Sequence, residues 1–270
     1  MVKKILERSY LFLVLAFLYA PIIFVMCLSF AGDGARFSLS GGFSIESYTS
    51  IFTSDKTPAL LDALKNTMLI AVISSVISTI LGTVSAIGMF HLGKKMSKIV
   101  NNVNQLPIIN SEIVMAVSFM LFFTTLGFPE GYVRLIIGHV TFCTPYVVLA
   151  IMPRLYQIDP NIYEAALDLG ATPAKALFKI QLPMILPNIL SGFVLSFTLS
   201  MDDFIITQIN KGTSSGIETL STYIYEDAKL NGLEPFWFSI FTIIFVVVLA
   251  VLLVANLRKK TQSVGGKNAK

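Results

Sequence analysis

Charge is what this sequence has least of. Only 13% of its 270 residues are Asp, Glu, Lys or Arg, about half the share that a soluble domain carries. Cysteine and histidine are scarce, two of each. Cys27 and Cys143 both lie inside apolar runs with no second Cys or His at ligand spacing. Each reads as a small buried hydrophobe, not as half of a disulfide or a metal centre. There is no Gly-rich Lys-Ser/Thr phosphate loop, no HExxH and no nucleophile beside a base, so no catalytic constellation is present. The formal charge of +4 is no nucleic-acid signal, because the basic residues stand at the ends of apolar runs and not in one patch.

What fills the chain instead is apolar sequence, 54% of all residues, gathered into runs of about twenty, the length a bilayer demands and a soluble core helix does not. The runs predict an all-α polytopic membrane protein, one transmembrane domain over 1–270. Six spans are expected, at about 10–30, 66–90, 107–126, 133–152, 184–206 and 235–257. A cleaved signal peptide is the alternative for the first run. That run exceeds a typical signal core, and only a weak small-residue site follows near Ala31. The second run is rich in Ser, Gly and Ala (Ser74, Ser75, Ser78, Gly82, Ser85, Ala86, Gly88), which lets helix backbones approach closely in lipid. His91 reads as an interfacial residue and His139 as a packing or hydrogen-bonding one.

Basic residues near span ends set orientation. With the N-terminus inside, fourteen of the twenty Lys and Arg fall in cytoplasmic segments. Arg36, Lys56, Lys65, Arg134, Lys211 and Lys229 remain outside. Both termini are then cytoplasmic, and so is the segment 159–183.

That segment carries the strongest local grammar. Asp159-Pro160 and Thr172-Pro173 each place a helix cap before proline at the first helical position, and Gly170 stands where a helix ends. It reads as two short helices broken by a Gly-Ala-Thr-Pro turn. Helix-turn-helix DNA binding fits poorly, with Lys175 and Lys179 set against Asp159, Glu164 and Asp168. Glu164-Ala165-Ala166, then Gly170, then Ile180-x-Leu182-Pro183 resembles the EAA loop of bacterial ABC-importer permeases, at the family's spacing. The resemblance implies the MetI-like fold of type I importers and a cytoplasmic coupling helix that seats on an ATP-binding subunit. It also implies a bacterial cytoplasmic-membrane location. This chain would bind no cofactor of its own, ATP and Mg being held by the partner subunits.

The acidic residues within the apolar runs are Glu112, Asp202 and Asp203, each costing about 2.5–3.5 kcal/mol at a span centre on insertion scales. Asn188, Gly192, Ser196, Ser200 and Asp203 share one helical face, which reads as a pathway wall. Hydration of both aspartates at the outer interface is the alternative. Glu112 either meets cargo or pairs with a basic residue of a sister subunit. Three acids and no base at membrane depth favour a cationic cargo over an anionic one.

A narrower resemblance, to the polyamine permeases of the same family, rests on Ser196-Phe197-Thr198-Leu199-Ser200-Met201-Asp202-Asp203-Phe204, Glu112-Ile113-Val114-Met115-Ala116 and His139-Val140-Thr141-Phe142-Cys143. Ser111-Glu112 stands where Pro-Asp is expected, keeping the charge without the proline. The resemblance implies a sister permease, two ATP-binding subunits and an extracellular polyamine-binding protein. An importer of ferric iron or thiamine is the alternative within the class. A self-sufficient secondary transporter or channel is the alternative outside it.

Overall fold

The computed structural model describes residues 2–31 and 42–265. Arg36 and the tail 266–270, both counted in the charge balance, lie outside the described residues. Among those described the fold is helical, with the isolated bridge Ala31–Phe43 as the β pairing.

The chain forms two compact units. One contains α1 (Val2–Leu28), α2 (Glu46–Thr53), the second half of α11 (Leu220–Asn231) and α12 (Pro235–Gly265). Within it α12 packs on α1 and α2. The chain between α1 and α2 folds back on itself: Phe30 stacks on Phe43 at 5.0 Å and Ser29 shares a 2.7 Å hydrogen bond with the Tyr48 hydroxyl. Lys56 donates to Asp227 and Glu234, each at 2.8 Å, and Asp227 also accepts from Trp237 Nε1 at 2.6 Å. Burial works against the Lys56 ammonium, but these hydrogen bonds outweigh it and hold its pKa above the ordinary lysine value. Burial likewise opposes the Asp227 carboxylate, while hydrogen bonds from Lys56, Trp237 and Asn231 hold its pKa below the usual range.

The other unit runs from Ala59 to Tyr223. It is built on α3 (Thr57–His91), α4 (Lys94–Ile109), α5 (Glu112–Thr125), α6 (Tyr132–Gln157), α7 (Pro160–Asp168), α8 (Pro173–Ala176), α9 (Leu182–Asp202) and α10 (Ile205–Asn210). Its centre is α6, with α3 and α9 against it. A Cβ on Gly82 of α3 would meet Val147 at 2.7 Å, and one on Gly192 of α9 would meet it at 3.1 Å. Glycine is therefore what lets both neighbours approach α6, as small residues do between helices in lipid. Ala86, Met89, Val147, Val148, Ile151, Met152, Leu155 and Ile185 form the adjoining core.

Several helix ends differ from the sequence expectation. α3 starts at Thr57, nine residues before Asn66, carrying its polar first turns with it. The range 107–126 is not one helix. Pro107 lies in the last turn of amphipathic α4, the chain is extended at Asn110 and Ser111, and α5 begins at Glu112 after a bend of 103°. α9 stops at Asp202, not at Ile206. α8 is no separate helix but runs through a π-helical turn, Leu177–Gln181, into α9. That wider turn precedes Pro183, whose missing N–H would leave the Lys179 carbonyl without its usual partner.

Among the described residues, three helical stretches are long and apolar enough to cross a bilayer: Thr57–His91, Tyr132–Gln157 and Pro173–Asp202. The bent pair of α4 and α5 adds a fourth if taken as one span, and Phe12–Leu28 and Pro235–Ala250 are shorter apolar helices.

Candidate functional site

Two places draw together the residues singled out in the sequence, one at each end of the stretch from Pro173 to Asp202. At the first, the caps form as their residue types dictate. Asp159 accepts from Asn161 N at 3.0 Å to start α7, and Thr172 accepts from Lys175 N at 3.3 Å to start α8. Between them Gly170 takes φ +84°. Its N–H bonds to the Leu167 carbonyl and that of Ala171 to the Ala166 carbonyl, the paired closure that ends a helix on a left-handed residue. Glu164, Ala165, Gly170 and Pro183 are exposed, Ile180 and Leu182 are half-buried, and Ala166 is buried. No atom lies within 4 Å of where a Gly170 side chain would stand. The turn is thus held from within its own backbone and presents Glu164 and Ala165 outward. His91 and Tyr163, in edge contact at 5.5 Å, line with Glu164 a small cavity of about 120 Å³ beneath α7.

At the second place α9 breaks. Asp203 is buried, and its carboxylate caps the next helix: Oδ1 accepts from Ile206 N at 3.2 Å, and Oδ2 accepts from Thr207 N and Thr207 Oγ1, both at 2.9 Å. His139 of α6 stands over this cap. Its Nδ1 is 2.8 Å from Ser200 Oγ, its Nε2 3.0 Å from Thr207 Oγ1 and 3.5 Å from Asp203 Oδ2. All four residues are buried. Asp202 is exposed, as is Glu112 in the first turn of α5.

The rest of the polar face of α9 turns toward α6. Asn188 donates to the Ala150 carbonyl at 3.2 Å, Gly192 lies against Val147, and the Ser196 carbonyl accepts from Cys143 Sγ at 3.6 Å. Ser196 and Ser200 are buried in this seam. Sequence reasoning did not single out Thr207, nor Asn210, which donates to the Ala116 carbonyl at 3.0 Å and ties α10 to α5. A Thr four residues after an Asp is the one local signal for such a cap, and it is a weak one. The cluster of Lys56, Asp227, Glu234 and Trp237 also escaped the sequence, since its members are scattered along the chain.

The family described as the binding-protein-dependent transport system inner membrane component matches residues 78–263, and the chain belongs to it. The spermidine/putrescine transport system permease protein PotC of Shigella flexneri is 33% identical over 269 residues, covering 98% of this chain and 99% of its own. PotC of Haemophilus influenzae is 35% identical over 258 residues, covering 95% and 97%. The putrescine transport system permease protein PotI of Escherichia coli (strain K12) is 34% identical over 226 residues, covering 81% and 78%. Among solved structures, a chain of a bacterial ABC transporter that imports the acidic polysaccharide alginate superposes with a TM-score of 0.70 at 15% identity, over 96% of each chain. It shares the fold.

Proposed function

We propose that this chain is a permease subunit of an ATP-driven importer of polyamines, spermidine and putrescine, in a bacterial cytoplasmic membrane. The observation that carries the cargo is the likeness at 33–35% identity, over nearly the whole chain, to permeases named for spermidine and putrescine. The exposed carboxylates Glu112 and Asp202 suit it, because a cargo of two or more charges gains most from acids in a low-dielectric passage.

In this reading six spans place both termini in the cytoplasm, and 159–183 is the coupling segment. Glu164, Ala165, Ala166, Gly170, Ile180, Leu182 and Pro183 meet the ATP-binding subunit. Glu112, Asp202 and Asp203, with Ser196 and Ser200 behind them, belong to the path. The partners are a PotB-like sister permease, two PotA-like ATP-binding subunits that hold ATP and Mg, and an extracellular PotD-like binding protein. Transport is by alternating access: the binding protein docks outside, the ATP-binding subunits close, and the coupling segment passes that motion to the spans.

The test is ATP hydrolysis by the assembled complex in lipid with its binding protein. Stimulation by spermidine and putrescine, but not by ferric iron or thiamine, supports the reading. An assembled and active complex indifferent to polyamines removes the cargo, and failure to recruit an ATP-binding subunit removes the coupling segment.

A further inference from the structure

With a neutral imidazole, the buried cluster at the end of α9 admits one proton order. Thr207 Oγ1 donates to Asp203 Oδ2, so its contact with His139 Nε2 at 3.0 Å needs the proton on the imidazole. Nε2 therefore carries N–H. Nδ1 of a neutral ring is then an acceptor, and the 2.8 Å contact with Ser200 Oγ is a hydroxyl donating to the ring. The order runs Ser200 to His139 to Thr207 to Asp203, each donating to the next. It joins the last turn of α9, the N-terminal third of α6 and the first turn of α10. The imidazole thus adds one polar link among three elements, of which α6 and α9 also meet at Val147 and Gly192.

We infer that His139 is the positioning residue of the transport path. It clamps the break after Asp202, commits the Asp203 carboxylate to capping α10, and leaves Asp202 as the carboxylate presented at the end of α9. The two adjacent aspartates thus do different work. Asp203 is 8% exposed and accepts three hydrogen bonds from Ile206 and Thr207. Asp202 is exposed, at the carbonyl end of a helix where partial negative charge adds to its own. Both charges draw a cation. The Asp202 half of the inference rests on the reading of a cationic cargo; the clamp itself does not.

The experiment separates the two. In the assembled importer, with exposed Cys27 replaced by Ser, single cysteines are placed at Asp202 and at fully buried Ile206 in α10. Their reaction with a membrane-impermeant cationic methanethiosulfonate is timed. The cysteine at 202 is expected to react at least about tenfold faster than that at 206. His139→Leu is expected to speed the cysteine at 206 about tenfold, the scale of local opening when buried polar groups lose their partner. His139→Gln carries one donor and one acceptor and should restore protection to within about threefold of the parent.

Spermidine uptake should follow the same order, lost with His139→Leu and kept with His139→Gln, while Asp202→Asn lowers uptake without unmasking the cysteine at 206. If His139→Leu does not assemble, Thr207→Val removes the hydroxyl between His139 and Asp203 and takes its place. An unchanged rate at 206 overturns the clamp. A His139→Gln as damaged as His139→Leu shows that ring volume, not proton pattern, matters, and overturns it too. A parent complex indifferent to spermidine overturns the cargo reading alone, and the labelling still decides the clamp.

Discussion

Before Pro173 the chain turns at Gly170 in the open; after Asp202 it turns inside a closed set of hydrogen bonds. The first turn uses only its own backbone and two local caps, and its surface faces outward with no neighbour over Gly170. The second uses a residue of α6 more than sixty positions away in sequence. A turn made of local parts keeps its shape while a partner comes and goes. A turn held by a distant side chain keeps its shape only while the helices stay packed. The first stands open on the surface; the second ties the end of α9 to α6 and α10.

The comparison can be broken at either end. The largest effect is expected at the closed turn. His139→Leu leaves the buried hydroxyls of Ser200 and Thr207 each short of a partner and should cost about 2–4 kcal/mol, read as a lowered Tm of the purified complex. Next is Gly82→Val, which overpacks the contact with Val147 at a cost of about 1–3 kcal/mol by the same measurement. At the open turn Gly170→Val should cost about 1–2 kcal/mol, because a branched residue resists the left-handed region. Its signature is loss of the ATP-binding subunit on co-purification with insertion intact. Gly170→Asn should be nearly silent, since Asn enters that region readily. If Gly170→Asn lowers Tm as far as His139→Leu, the turn is not open and the contrast fails. Asp159→Ala should cost about 1 kcal/mol through the lost cap.

The smallest effect lies in the cluster of Lys56, Asp227, Glu234 and Trp237. Asp227 has a folded pKa below its ordinary 3.8, so its contribution is fully present above that value and is lost as pH falls through the lower folded one. The Lys56 contribution is present below 10.5 and lost as pH rises through its raised value. Stability measured from neutral pH into acid should therefore decline more steeply in the parent than in Asp227→Asn. The slope difference is modest, because partial exposure screens the pair.

What could be read from the residues follows the same division between local and distant. The caps at Asp159 and Thr172 and the stop at Gly170 were legible because their signals lie within four residues of where they act. The break after Asp202 was not, because Asp202-Asp203-Phe204-Ile205-Ile206 contains no Gly or Pro, the Asp203–Thr207 cap is a weak local signal, and the His139 that contacts it sits on another helix. The bend before Glu112 was hidden in a similar way. Pro107 reads as the start of an apolar helix and proves to be in the last turn of an amphipathic one. The small and polar face of α9 was visible as a pattern, but its partner was not. A stripe that could line water and a stripe that receives α6 have the same periodicity. Which acids are exposed, Glu112 and Asp202, came from the packing alone.

Continuity from Pro173 to Asp202 has a mechanical meaning. Thirty residues without a break make a strut of about 45 Å at the rise of an α-helix. It is pinned along its length where Arg154 holds the Met184 carbonyl, Asn188 holds Ala150 and Gly192 meets Val147. The π-helical turn beside Pro183 gives it one place to change pitch. The stretch that begins just after the Gly170 turn ends at the exposed carboxylate of Asp202, so the two turns stand at opposite ends of one helical element.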